Sequence, residues 1–142
     1  MNKKVEKPKL RHMATLGSLG GYGNKNGEWS VEQKIQVIKK AGFDGFVGRL
    51  PLVTKEHVET SGLLFAATVD IQVISEIRGK LKAVQKAGAR CVNVQMLNHD
   101  TTTKRAVEVA RRVIATADDL EMDVAIEVHR DTCTETPEKA YA

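Results

Sequence analysis

The sequence reads CVNVQMLNHDTTTKRAVEVARRVIATADDLEMDVAIEV over residues 91–128, with an apolar run of strand length at each end and an amphipathic stretch between them. In the first run, apolar residues alternate with Asn93 and Gln95, as in a strand with one apolar and one polar face. The stretch between the runs carries apolar residues at the spacing of one helical face: Ala106, Val109, Ala110, Val113, Ile114, Ala117 and Leu120. A strand, a helix and a second strand in this order predict two parallel strands joined by a crossover helix.

The same alternation of strand-like and helix-like segments extends through the rest of the chain. Further strand-length runs occupy residues 13–16, 45–48 and 63–69, ahead of those at 91–96 and 124–128. Other helices are predicted after a capping box at Ser30 and Gln33, over residues 54–61 and over residues 74–88, and one more begins at Thr136-Pro137-Glu138. Between residues 17 and 27 the chain is so rich in glycine that we expect an irregular loop. The pattern predicts five parallel strands, four complete helices and the start of a fifth.

Five such strands fit either a complete flavodoxin-like sheet or the first part of a (β/α)8 barrel. A flavodoxin-like or dinucleotide-binding fold needs a phosphate loop that leads directly from the first strand into the first helix. Here ten or more residues separate the two, and Asn26 stands where a third glycine should follow Gly21 and Gly23. We therefore predict that residues 12–142 are the N-terminal part of an incomplete TIM barrel, because a complete one takes about 250 residues.

The amino-acid composition argues against several classes of partner. The formal net charge is +4, but five basic residues lie within residues 1–11, which we interpret as a flexible basic arm. Aromatic residues make up only 4% of the chain, so a nucleic-acid partner is not expected. The two cysteines lack CxxC spacing, and no apolar run approaches the roughly 18 residues of a membrane span. We expect a soluble cytoplasmic protein without a membrane partner.

Glu127 is the strongest candidate for a functional residue. A strand as apolar as residues 124–128 has little reason to carry a carboxylate near its carboxyl end unless the charge is paired or holds a cation. His129 follows two residues later on the same face, while Gln95, His99 and Arg49 follow or end other strands. The alternative is that Glu127 forms a salt bridge with Arg130 or another arginine at the rim.

Three segments together resemble the sugar phosphate isomerase/epimerase, or xylose isomerase-like, TIM-barrel family. They are Ala41-Gly42-Phe43-Asp44-Gly45, Val92-Asn93-Val94-Gln95 and Ile126-Glu127-Val128-His129. The resemblance implies a divalent metal ion (Mg, Mn, Co or Zn) with Glu127 as one ligand and as a catalytic acid or base. It also implies a sugar or sugar phosphate substrate in contact with His129 and Gln95. The chemistry would be proton transfer beside a carbonyl through an enediolate.

The chain departs from that family because strands 6 to 8 and their three metal ligands are missing from it. We therefore expect a truncated chain that is inactive alone. Two alternatives are a non-catalytic half barrel that pairs with another chain, and a metal-dependent apurinic endonuclease of the same superfamily. Unclosed barrel edges also predict self-association, because edge strands expose unpaired backbone groups.

Overall fold

The computed structural model describes residues 10–24 and 27–141, and its centre is a five-stranded parallel sheet. The sheet order is β1-β4-β5-β6-β7, formed by Met13–Thr15, Gly45–Gly48, Leu64–Ile71, Cys91–Met96 and Asp123–Ile126. The helices between and after these strands are α1 (Val31–Lys40), α2 (Lys55–Ser61), α3 (Ile77–Lys86), α4 (Thr103–Asp119) and α5 (Pro137–Ala140). Neighbouring strands follow each other in the chain, as in a TIM barrel. The prediction of a partial parallel α/β barrel is confirmed.

The glycine-rich segment is more regular than predicted. A 3-10 helix spans Leu16–Leu19, and β2 (Gly23–Asn24) pairs with β3 (Gly27–Glu28) in an antiparallel hairpin. The Trp29 amide donates to the Tyr22 carbonyl at 2.8 Å, and the two rings stack with centroids 5.9 Å apart. Residues 25 and 26 of the predicted loop lie outside the described residues. For the rest of the segment the prediction of an irregular loop is wrong, because β2 and β3 pair and the ring and backbone contacts of Tyr22 and Trp29 hold them together.

Helix ends follow the signals in the sequence. The Ser30 side chain caps the Gln33 amide, and the Gln33 side chain accepts from the Ser30 amide at 2.9 Å, which completes the predicted capping box. Thr136 caps α5, with Pro137 at its first position. Gly42 and Gly88 follow α1 and α3 with φ of 83° and 95°, which glycine adopts at little cost.

The two faces of the sheet have different surroundings. One face is buried under the helices, and there Phe46 and Phe65 stack with ring centroids 5.2 Å apart. Val92 and Val94 lie on the same face and are 1% or less exposed. The opposite face corresponds to the barrel interior and, apart from the buried Ala66, carries half-buried or exposed side chains. This second face, with Thr68, Asp70, Asn93 and Gln95, positions the candidate site.

Two further expectations from the sequence concern the basic arm and membrane-spanning helices. Residues 1–9 of the predicted basic arm lie outside the described residues, so the division at residue 11 stays a prediction. Within residues 10–24 and 27–141, no helix is both long and apolar enough to cross a membrane.

Gly45 and Gly79 offer a matched test of the packing between β4 and β5. A Cβ atom on Gly45 would lie 2.6 Å from the Leu64 carbonyl oxygen, whereas a Cβ on Gly79 in α3 would meet no atom within 4 Å. We expect Gly45→Ala to lower the free energy of unfolding by about 1–3 kcal/mol through overpacking. Gly79→Ala should raise it by roughly 0.5–1 kcal/mol, because alanine favours helix interiors. Urea denaturation measures both, and equal stability of the two variants would contradict the described strand spacing.

Candidate functional site

A chain of polar side chains crosses the interior face of the sheet at the carboxyl ends of four strands. It consists of Arg49 after β4, Asp70 in β5, Asn93 and Gln95 in β6, and Glu127 after β7. We call this set the mouth network. Parallel strands place their carboxyl ends at one edge, and in TIM barrels that edge is where active sites form. Residues distant in sequence are thereby assembled on one surface.

The contacts of the mouth network form one continuous path. Arg49 donates from Nη1 to Asp70 Oδ2 at 2.6 Å and from Nη2 to Gln95 Oε1 at 2.9 Å. Gln95 Nε2 then donates to Glu127 Oε2 at 2.8 Å, and Asn93 Nδ2 donates to the same oxygen at 2.6 Å. Gln95 thus has its carbonyl oxygen toward the guanidinium and its amide nitrogen toward the carboxylate. It couples two charged groups that do not touch each other directly.

Strand register explains why these particular side chains meet. β5 and β6 pair with Thr68 opposite Asn93 and Asp70 opposite Gln95. The backbone of Glu127 continues the β6–β7 ladder, since its amide donates to the Val94 carbonyl at 2.9 Å. Side chains two residues apart on a strand share a face, so Asn93 and Gln95 both reach Glu127.

The electrostatic balance of the mouth network is slightly negative. One guanidinium and two carboxylates give a formal charge of −1, and the Glu127 carboxylate receives its described hydrogen bonds from neutral amides. The alternative of a direct Glu127–Arg130 salt bridge is not observed among the described residues. The Arg49 side chain remains 43% exposed, so part of its donor capacity faces the open mouth.

The two histidine candidates lie away from the hydrogen-bonded path. His129 is half-buried with Nδ1 2.7 Å from the Arg130 carbonyl oxygen, and it lines a depression of about 200 Å³ together with Asp70 and Gln95. His99 is exposed, and its Nε2 lies 3.3 Å from Asp100 Oδ1. Of the five predicted site residues, the network therefore joins Arg49, Gln95 and Glu127, His129 lies at its rim, and His99 is separate.

Asp70 and Asn93 belong to the network but were not among the predicted site residues. Asn93 alternates with Gln95 in the sequence, which was a usable signal for a shared face. Asp70 closes an apolar run, and its ion pair with Arg49 depends on how β4 and β5 are aligned. Sequence alone does not provide that alignment.

A second depression of about 280 Å³ opens beside Arg49. Its lining includes Arg49, Thr68, Asp70 and Lys80. Lys80 donates from Nζ to the Asp70 carbonyl oxygen at 2.8 Å and lies 3.0 Å from Glu76 Oε2. Both cations of this lining are already paired with carboxylates, Arg49 with Asp70 and Lys80 with Glu76.

These features define the class of the protein as a partial TIM barrel with a polar mouth. Solved structures with the same fold include dihydrodipicolinate synthase (dapA), with a TM-score of 0.64 and 11% identity over 92% of this chain and 50% of that one. YagE, a prophage protein of the dihydrodipicolinic acid synthase family from E. coli K12 in complex with pyruvate, has a TM-score of 0.54 and 13% identity over 82% and 44%. N-acetylneuraminate lyase from Fusobacterium nucleatum has a TM-score of 0.52 and 12% identity over 92% and 50%.

This likeness concerns the fold, and the chain spans about half the length of the solved structures that it matches. No protein-family model matches the chain, and no curated protein sequence matches it.

The resemblance to xylose isomerase-like sugar phosphate isomerases and epimerases is wrong, because the similar structures are synthases and a lyase. The predicted isomerase or epimerase function is wrong for the same reason. The two alternatives, a non-catalytic half barrel and an apurinic endonuclease, do not match these structures either. The motifs have local explanations: Ala41-Gly42 is a helix-ending turn that requires a positive φ, and Val92-Asn93-Val94-Gln95 is the alternation of a two-faced strand.

The predicted divalent metal cofactor is wrong for the same reason. The described residues also contain no group of three or more histidine, cysteine, aspartate or glutamate side chains placed to hold a metal ion. Glu127 instead directs Oε2 at two amide donors.

A charge exchange tests the coupling through Gln95. Gln95→Glu should lower the free energy of unfolding at pH 7 by about 1–3 kcal/mol, because it replaces an amide donor to Glu127 with a second carboxylate. The double variant Gln95→Glu/Glu127→Gln should recover most of that loss, since an amide again faces a carboxylate. Urea denaturation of wild type, both single variants and the double variant completes the cycle. If the changes in unfolding free energy of Gln95→Glu and Glu127→Gln simply add in the double variant, Gln95 and Glu127 are not coupled.

Proposed function

We propose that this chain supplies five βα units of a synthase- or lyase-type TIM barrel that binds a small 2-oxo acid such as pyruvate at its mouth. The observation that carries the proposal is the half-exposed guanidinium of Arg49, at the carboxyl end of a parallel strand. Arginine matches a carboxylate geometrically and carries more donors than its two described partners use. The proposal concerns binding by this chain and assigns no covalent step.

Two further observations support a small anionic ligand. The depression of about 280 Å³ beside Arg49 is large enough for a molecule of a few heavy atoms, and Lys80, which pairs with Glu76, is also part of its lining. YagE, which shares the fold, was determined in complex with pyruvate. Gln95 and His129 line the other depression, of about 200 Å³, which shares Asp70 with the first one, and His99 lines neither depression.

Titration with pyruvate tests this proposal. Arg49→Ala should weaken pyruvate binding roughly 10-fold or more, because a hydrogen bond to a charged group contributes about 1.5–3 kcal/mol. Arg90→Ala is the matched control, since Arg90 is exposed at the amino end of β6 and lies outside both depressions. Isothermal titration calorimetry measures the affinities, and circular dichroism checks that both variants fold. Equal pyruvate affinity in the wild type and Arg49→Ala, or no binding by the wild type, would refute the proposal.

We further propose that β1 and β7 pair with additional strands, including those of a second copy. Among the described residues, β1 pairs only with β4 and β7 only with β6, so each has one open edge.

A cytoplasmic location is also proposed, because Cys91 and Cys133 are both free. We also propose the division of the chain into a flexible basic arm, residues 1–11, and a partial barrel that begins at residue 12.

A further inference from the structure

The charges of α4 run against the dipole of that helix. Lys104 and Arg105 lie in its first turn, where the backbone is positive, and Asp118 and Asp119 lie in its last turn, where it is negative. Helices normally show the reverse order, with acidic residues first and basic residues last. The order in α4 therefore costs stability in an isolated helix, unless something outside the helix compensates for it.

Neighbouring side chains compensate for only part of this charge. Arg105 pairs with Glu108 at 2.7 Å, and Asp119 pairs with Arg78 of α3. Lys104, Arg111, Arg112 and Asp118 are exposed and have no oppositely charged partner among residues 10–24 and 27–141. The outer surface of α4 thus presents unpaired cations in its first two thirds and an unpaired carboxylate at its end.

The same surface carries apolar groups. A groove of about 540 Å³ runs along it, with Ile74 and Val107 among its lining residues. Ile114, which lies two turns after Val107, is 45% exposed, although most large apolar side chains of this sheet and helix layer are buried. Apolar residues seven apart form a line along a helix, as in the seam between paired helices.

We propose that this outer face of α4, residues 104–118, is a docking surface for the same face of a second copy, with the two helices antiparallel about a two-fold axis near Arg111. Lys104 and Asp118 lie seven residues on either side of Arg111. The axis therefore places Lys104 of each copy opposite Asp118 of the other and brings Val107 close to Ile114. A two-fold interface uses one patch twice, so each charge pair and each apolar contact occurs two times.

Antiparallel pairing also resolves the conflict with the helix dipole. The basic first turn of one helix meets the acidic last turn and negative dipole end of the other. The two Arg111 side chains approach each other near the axis, where Glu108 lies one turn away on each helix. Exposed ion pairs of this kind are screened by salt, so the dimer should weaken when the salt concentration rises from 0.1 M to 1 M.

Sedimentation velocity of the full chain at increasing concentration tests the proposal. Wild type should associate to a dimer, and Lys104→Glu and Asp118→Lys should each weaken that association at least 10-fold, because each places like charges opposite one another twice. An equimolar mixture of the two variants should form a heterodimer, and the double variant Lys104→Glu/Asp118→Lys should dimerise again. In the heterodimer and in the double-variant dimer, both contacts between positions 104 and 118 join opposite charges.

Two controls separate this surface from general effects of charge or folding. Lys82→Glu makes the same charge change at an exposed position of α3 outside the groove and should leave association unchanged. Lys104→Glu and Asp118→Lys both place charges in the order that the helix dipole favours, so neither should lower the thermal midpoint of the monomer. A wild type that stays monomeric, a dimer insensitive to both reversals, or an equal loss in Lys82→Glu would overturn the proposal. Insensitivity to the reversals would assign association to the open edges of β1 and β7.

Discussion

The alignment of β5 with β6 is the constraint on which both the core and the candidate site depend. These strands pair in parallel with Thr68 opposite Asn93 and Asp70 opposite Gln95. A shift by one residue would move every side chain of one strand to the other face. Val92 and Val94 would then leave the helix-covered core, and Gln95 would leave the barrel interior. The burial of apolar residues under the helices therefore determines the position of the polar ones on the opposite face.

The mouth network shows what this division of faces produces. Four strands contribute polar side chains at their carboxyl ends, and Gln95 links the guanidinium of Arg49 to the carboxylate of Glu127 through opposite ends of one amide. Because the amide is fixed between two charged groups, the carboxylate has a defined orientation before any ligand arrives. Arg49 remains half-exposed beside the depression that it shares with Thr68 and Lys80. Under the proposed function, the carboxylate of a small ligand binds at this guanidinium.

The outer surface depends on a different interaction, between side-chain charge and the helix backbone. In α4 the buried face, with Val109, Val113 and Ala117, attaches the helix to the sheet. That packing maintains the helix although the charges of its first and last turns oppose its dipole. The unfavourable charge order is thus tolerated because tertiary contacts stabilise the helix, and it leaves a patterned surface available for a partner.

The sequence by itself determined the order of strands and helices, because periods of two and 3.6 residues and the caps at Ser30 and Thr136 are local properties. It also singled out Arg49, Gln95 and Glu127, since polar groups at the ends of apolar strands are conspicuous. It misassigned the family, because short turn and strand motifs recur in many barrels, and it misread the glycine-rich hairpin. Only the tertiary structure decided that Asp70 and Asn93 join the site while His99 does not. Register between strands and the path of the loops depend on contacts between residues far apart in the chain, which no local pattern specifies.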